Sequence, residues 1–222
     1  MTPNRNIRQR ELVPPDSLDR IQATVIGVGA IGRQVAIQLA TIGVPKIKLI
    51  DFDTVQIENL GAQGFNETDL GCSKVGAVSE SCLKVNGSID VSLSNSRFNP
   101  LLFPGGVVFC CVDKIEVRES IFNKISDRSD LFIDGRMSAE YMRILSVFNK
   151  ASAEHYRTTL FKASEAYRGT CTAKTTFYCS SIAAGMMVAQ FAKWLRGCEV
   201  DCDVSLNLLT NEMEAHGVPI NQ

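Results

Sequence analysis

Three glycines, Gly27, Gly29 and Gly32, space the run GVGAIG ahead of a helix-forming stretch, an arrangement suited to holding a phosphate. Glycine lets the backbone approach an anion closely. The helix that begins near Ala30 aims free N–H groups and its partial positive charge at the same point. Asp51 follows at about the interval expected of a carboxylate that accepts hydrogen bonds from a ribose, and Asp53 stands just beyond it. Glycines and acids alone indicate a nucleotide without choosing between a nicotinamide cofactor and ATP.

Such groups need a strand, a tight turn and a helix to hold them. ATVIGV is a β-branched apolar run ending in glycine, and AIGRQVAIQLATIG places Ile31, Val35, Leu39 and Ile42 on one helical face. KIKLIDFD predicts a second strand that ends in the two acids. The stretch Cys72 to Leu83 predicts a second helix, which returns the chain to a strand at IDVSLS. GVVFCCVD and LFIDGR have the continuous apolar character of strands covered on both faces, with a helix at KIEVRESIFNKISDR between them. YMRILSVFN reads as a further strand, residues 176 to 196 as an apolar helix stopped by Gly197, and VSLNLLT as a last edge strand. The rhythm predicts an α/β fold: doubly wound, Rossmann-like, with a mainly parallel sheet and helices on both faces. Residues 1–20 form an arm with a short helical turn at SLDR, and residues 21–222 one domain. Within that domain the polar residues 149–175 are read as a surface crossover loop.

Composition narrows the partners. Lys and Arg total 23 against 24 Asp and Glu, a net charge of −1, so nothing in the charge favours nucleic acid or an anionic membrane surface. The longest apolar run, near Ile182 to Leu195, is broken by Gln190 and Lys193 and falls short of the roughly 20 residues that span a bilayer. The basic start has no apolar stretch after it, so a cytoplasmic protein is expected, with its eight cysteines as free thiols.

The segment DFDTVQIENLGAQGFNETDLGCSKV separates the nucleotides. It resembles the signature of the ThiF/MoeB and ubiquitin-activating enzymes, in which an acidic strand end is followed by Asn-Leu-x-Arg-Gln and then Gly-x-x-Lys. The resemblance covers most of residues 21 to 136. It implies Asp51 as the ribose contact, Asn59 and Gln63 as polar residues of the phosphate loop, and Lys74 as the phosphate-binding lysine. It likewise implies that Asp113 assists a magnesium–ATP complex, acting as both a catalytic and a metal-binding group. Arg118 fits the pattern too, and a surface or ion-pair role suits it equally. Arg8 resembles the arginine of the family's leading arm, which in dimeric members reaches the partner subunit's ATP. Hydride transfer needs no lysine at position 74, whereas adenylation builds charge on the α-phosphate and on departing pyrophosphate.

Two departures from the pattern matter. Ala62 replaces the family arginine of Asn-Leu-x-Arg-Gln, a substitution similar to those in inactive halves of heterodimeric activating enzymes. The chain also has no Cys-x-x-Cys, so a structural zinc is not expected. Cys171, in GTCTAKTTFYC, looks like the Cys-Thr element of autophagy-type activating enzymes, where a thiol just ahead of a helix attacks an acyl-adenylate. Lys174 and Arg168 would favour its thiolate. Cys72, Cys82, Cys110, Cys111 and Cys179 are read as packing residues, Cys198 and Cys202 as an incidental thiol pair, and His155 and His216 as surface residues. These features together imply an enzyme using ATP and Mg2+ to adenylate the C-terminus of a ubiquitin-like or sulfur-carrier β-grasp protein, as a homodimer. A thioester on Cys171 could follow. A catalytically silent binding subunit and an NAD-dependent oxidoreductase are the rival readings.

Overall fold

The computed structural model describes residues 5–161 and 176–216. After one helical turn, α1 (Pro15–Leu18), the chain runs through β1 (Gln22–Ile26), α2 (Ala30–Ile42), β2 (Lys46–Ile50), α3 (Ile57–Gln63), α4 (Lys74–Val85) and β3 (Asp90–Ser94). The remaining elements are β4 (Gly106–Cys110), α5 (Ile115–Ile125), β5 (Ser129–Ser138), β6 (Tyr141–Val147), α6 (Lys150–Thr158), α7 (Phe177–Leu195), β7 (Asp203–Asn207) and β8 (Glu212–His216).

The strands form one eight-stranded sheet in the order β3-β2-β1-β4-β5-β6-β7-β8. Pairing is parallel from β3 to β5 and antiparallel from β5 to β8. Side-chain alternation gives each face its own core. Val25, Leu49, Phe109 and Ile133 pack with α2, α4 and α7, while Ile26, Ile50, Val108 and Phe132 pack with α5 and α6. The predicted doubly wound α/β architecture is therefore present. From β1 the chain moves outward to β2 and β3, then returns to β4 on the other side of β1. This reversal opens a crevice at the carboxyl ends of β1 and β4, where such sheets bind ligands.

Three expectations are corrected. The stretch read as a loop from residue 149 contains α6, whose Asn149 cap accepts from the Ser152 N–H at 2.9 Å. Its residues packed on the core are only Ala153 and Tyr156, followed by Leu160 just past its end, too few to stand out in a polar segment. VSLNLLT overlaps β7, which is an inner strand; the edge is β8, a short EMEAH alternation that is exposed along its length. The segment from Asn59 to Gln63 is helical, α3 being held by reciprocal capping between Gln56 and Asn59.

Candidate functional site

The glycine turn is built by contact as much as by conformation. Gly27 has φ +82°, and a Cβ there would stand 3.0 Å from the Cys111 carbonyl at the end of β4. At Gly32 a Cβ would meet the Gly27 carbonyl oxygen at 1.8 Å, so the first turn of α2 rests directly on the loop. Gly29 is the N-cap of α2, and no side-chain hydrogen bond caps this helix, which leaves its first N–H groups facing the crevice. Asp51 fixes the turn: Oδ2 accepts from the Val28 N–H at 2.7 Å and Oδ1 from the Asp53 N–H at 2.9 Å. The carboxylate keeps further lone pairs, so these bonds leave it able to meet a ribose hydroxyl.

A short antiparallel bridge between Thr54 and Ser73 folds the α3 segment back and delivers the start of α4 to the same edge. Ser73 caps α4 through the Gly76 N–H. Lys74, the first residue of that helix, then pairs with Asp53, Nζ to Oδ2, at 3.1 Å. Lys74 is buried to 6% exposure, and its ammonium group turns to the half-exposed Asp53. A cleft of about 270 Å³ opens here, lined by Asp53, Thr54, Gln56, Glu58, Asn59 and Lys74. Asn59 uses its Oδ1 to accept from the Gln56 N–H, leaving its amide NH2 for other partners. Gln63 sits against Gly29, and its buried Oε1 has no partner among the described residues. Asp113 is exposed in the turn after β4, which lies beside Gly27 through the Cys111 N–H bond to the Ile26 carbonyl at 2.8 Å.

Other predicted residues lie elsewhere. Arg118 is buried and paired with Asp134, which also accepts from Arg136 Nε at 2.7 Å and Tyr156 Oη at 3.1 Å. This ties α5, β5 and α6 together on the face away from the glycine turn. Exposed Arg8 belongs to an arm that docks at the far ends of α2 and α4. There Arg5 donates to the Val85 carbonyl at 2.7 Å, and the Asn6 amide lies against Gly43. That end is roughly 20 Å along α2 from its own chain's glycine turn.

Cys171, Lys174 and Arg168 lie outside the described residues. Burial holds the Cys110 and Cys111 thiols above their ordinary pKa and pushes Cys82 up to about 12, so none of them is a ready nucleophile. Cys72, expected in the core, is exposed in the turn before α4. Cys198 and Cys202 are both free thiols. His155, read as a surface residue, bonds Asp203 at 2.8 Å, and Arg143 grips the same carboxylate. Burial alone would raise the Asp203 pKa, but those bonds outweigh it and hold the pKa below the usual carboxylate value. Sequence reasoning passed over Arg33, the lone basic residue of α2, whose presence in an otherwise uncharged helix was the available signal.

Comparison with known proteins places this arrangement. The ThiF family profile matches residues 4–219. The chain belongs to the ThiF family. Among relatives, it is 34% identical over 97 residues to the adenylyltransferase and sulfurtransferase MOCS3 of Dictyostelium discoideum, covering 40% of this chain and 23% of that protein. It is 25% identical over 130 residues to ubiquitin-like modifier-activating enzyme 5 of Caenorhabditis briggsae, covering 51% and 30% respectively. This ThiF-family chain thus spans a third or less of the length of those relatives. The crystal structure of E. coli MccB with ATP superposes with a TM-score of 0.76 at 18% identity, over 98% of this chain and 72% of that one, and shares the fold. No helix among the described residues is long and apolar enough to cross a membrane, and no group of three or more His, Cys, Asp and Glu there could hold a metal ion.

Proposed function

We propose that this ThiF-family chain adenylates the C-terminal carboxylate of a ubiquitin-like or sulfur-carrier β-grasp protein, using ATP with magnesium. The observation that carries this reading is the meeting of the uncapped α2 terminus with Asp51 and the Lys74–Asp53 pair on one sheet edge. A helix N-terminus, a ribose acceptor and a buried lysine are what a nucleoside triphosphate requires, whereas hydride transfer has no use for the lysine. The relatives' names, an adenylyltransferase and a modifier-activating enzyme, point the same way.

In the proposed reaction a carboxylate oxygen of the carrier attacks the α-phosphorus and the bond to the pyrophosphate oxygen breaks, leaving acyl-adenylate and pyrophosphate. The nucleophile is already ionised, so no general base is needed and the chain's contribution is position and charge. The α2 N–H groups and Gly29 would hold the phosphates, Asp51 the ribose, and Lys74 and Asn59 the charge that develops on leaving. Magnesium accepts one carboxylate together with phosphate oxygens and water, a set that exposed Asp113 fits, and when bound it would neutralise the departing phosphates. Arg8 would serve a partner's site in a homodimer, since its arm docks away from its own. Cys171 would take the acyl group in a second step, its sulfur attacking the acyl carbon as AMP leaves.

A second reading, a catalytically silent subunit, is favoured by Ala62, which leaves α3 without a basic residue. ATP–pyrophosphate exchange with a panel of candidate carrier proteins separates the two. Carrier-dependent exchange supports the enzyme, and its absence alongside retained ATP binding supports the silent subunit. Cys171→Ala should abolish any thiol-cleavable conjugate while exchange survives.

A further inference from the structure

Among the described residues the crevice is short of positive charge for a triphosphate. Asp53 and Glu58 line it there with a single cation, Lys74, which is already paired with Asp53. Neither Ala62 nor any other residue of α3 contributes a base. One further cation stands at its margin: Arg33, one helical turn after Gly29, to whose carbonyl its N–H donates at 3.0 Å.

Arg33 is only 8% exposed, yet its Nε has no hydrogen-bond partner among the described residues. A helical side chain leans back over the preceding turn, so the Arg33 stem runs toward the glycine turn and under the end of α3. Its Nη1 lies 3.4 Å from where a Gly64 Cβ would stand, and its guanidinium carbon is 5.3 Å from the Phe65 ring centre. The nearby buried Asp69 carboxylate attracts the guanidinium, but its Oδ2 accepts from the Asn66 N–H and amide. Gln63, the last residue of α3, carries the second orphaned polar atom of this corner, and the two orphans do not bond each other. A buried guanidinium N–H left without a hydrogen bond is unfavourable, and an anion that accepts from it removes that penalty.

We infer that Arg33, reaching from α2 beneath the end of α3, binds the distal phosphates of the nucleotide and supplies the positive charge that α3 lacks. The inference rests on the adenylation reading, and it assigns the residue that would make such a site competent despite Ala62.

The test compares Mg-ATP with AMP binding by calorimetry on the full chain, for wild type, Arg33→Met and Arg33→Gln. Arg33→Met keeps the apolar stem against Phe65; Arg33→Gln keeps polarity without charge. The expected result is a loss of about 10- to 100-fold in ATP affinity with AMP affinity unchanged, because AMP lacks the phosphates in question. Ala62→Arg in the Arg33→Met background should recover most of the loss. Equal ATP-to-AMP affinity ratios in wild type and either folded variant would overturn the assignment while leaving adenylation standing. A wild-type chain that binds AMP and ATP equally, or neither, would overturn both. A merely structural Arg33 would lower the Tm of the variants and leave the ratio untouched.

Discussion

At its carboxyl end the sheet treats buried polar groups differently on its two faces. Around Asp134 every strong group is answered: Arg118 and Arg136 hold its two oxygens, Tyr156 adds a third bond, and Arg136 also donates to the Thr159 carbonyl at 2.8 Å. Around the glycine turn, Arg33 Nε and Gln63 Oε1 are buried without partners among the described residues. Folding alone gains nothing by leaving those atoms unanswered, whereas a site that awaits a polar ligand must keep them so. The contrast explains why Arg118 holds the structure together, although its sequence context resembles a functional motif.

Breaking the satisfied network should have the largest effect. Asp134→Ala leaves buried Arg118 uncompensated and Arg136 with only its Thr159 bonds, and is expected to cost about 3–5 kcal/mol in urea unfolding. A loss under about 1 kcal/mol would mean that water reaches this pair. Nearby, Asp203 adds an acid-sensitive contribution. Its folded pKa lies below the ordinary carboxylate value, so its stabilisation is complete above about pH 4 and disappears as pH falls through the folded pKa. Asp203→Asn should therefore flatten the acid limb of the stability curve, and an unchanged limb would assign acid lability elsewhere.

In the crevice the balance should invert. Lys74→Ala removes a partner from half-exposed Asp53, so stability should fall by no more than about 1 kcal/mol while ATP-induced thermal stabilisation is lost. Preserved stabilisation by ATP would remove Lys74 from the site. The smallest effect should come from Gly61→Ala. A Cβ there meets nothing within 4 Å and the position lies inside α3, so stability should rise by roughly 0.4–1 kcal/mol. A decrease would show that α3 needs its glycine to move.

The sequence by itself determined the parallel half of the fold. In GVGAIG, KIKLIDFD and GVVFCCVD, local apolar pattern and turn chemistry agree with burial, so strands, turn and helix were legible together with Gly27, Gly29, Gly32 and Asp51 at their junctions. Only the tertiary structure decided where polar residues without periodicity go. It anchored α6 through Ala153 and Tyr156, made β8 the edge, buried Lys74 against Asp53, and brought His155 to Asp203 across 48 residues. Those outcomes depend on which charge meets which across long separations, a quantity that local spacing does not carry. Arg33 is the plainest case: its type and helix could be read from the chain, but that its buried Nε has no partner among the described residues follows only from the tertiary structure.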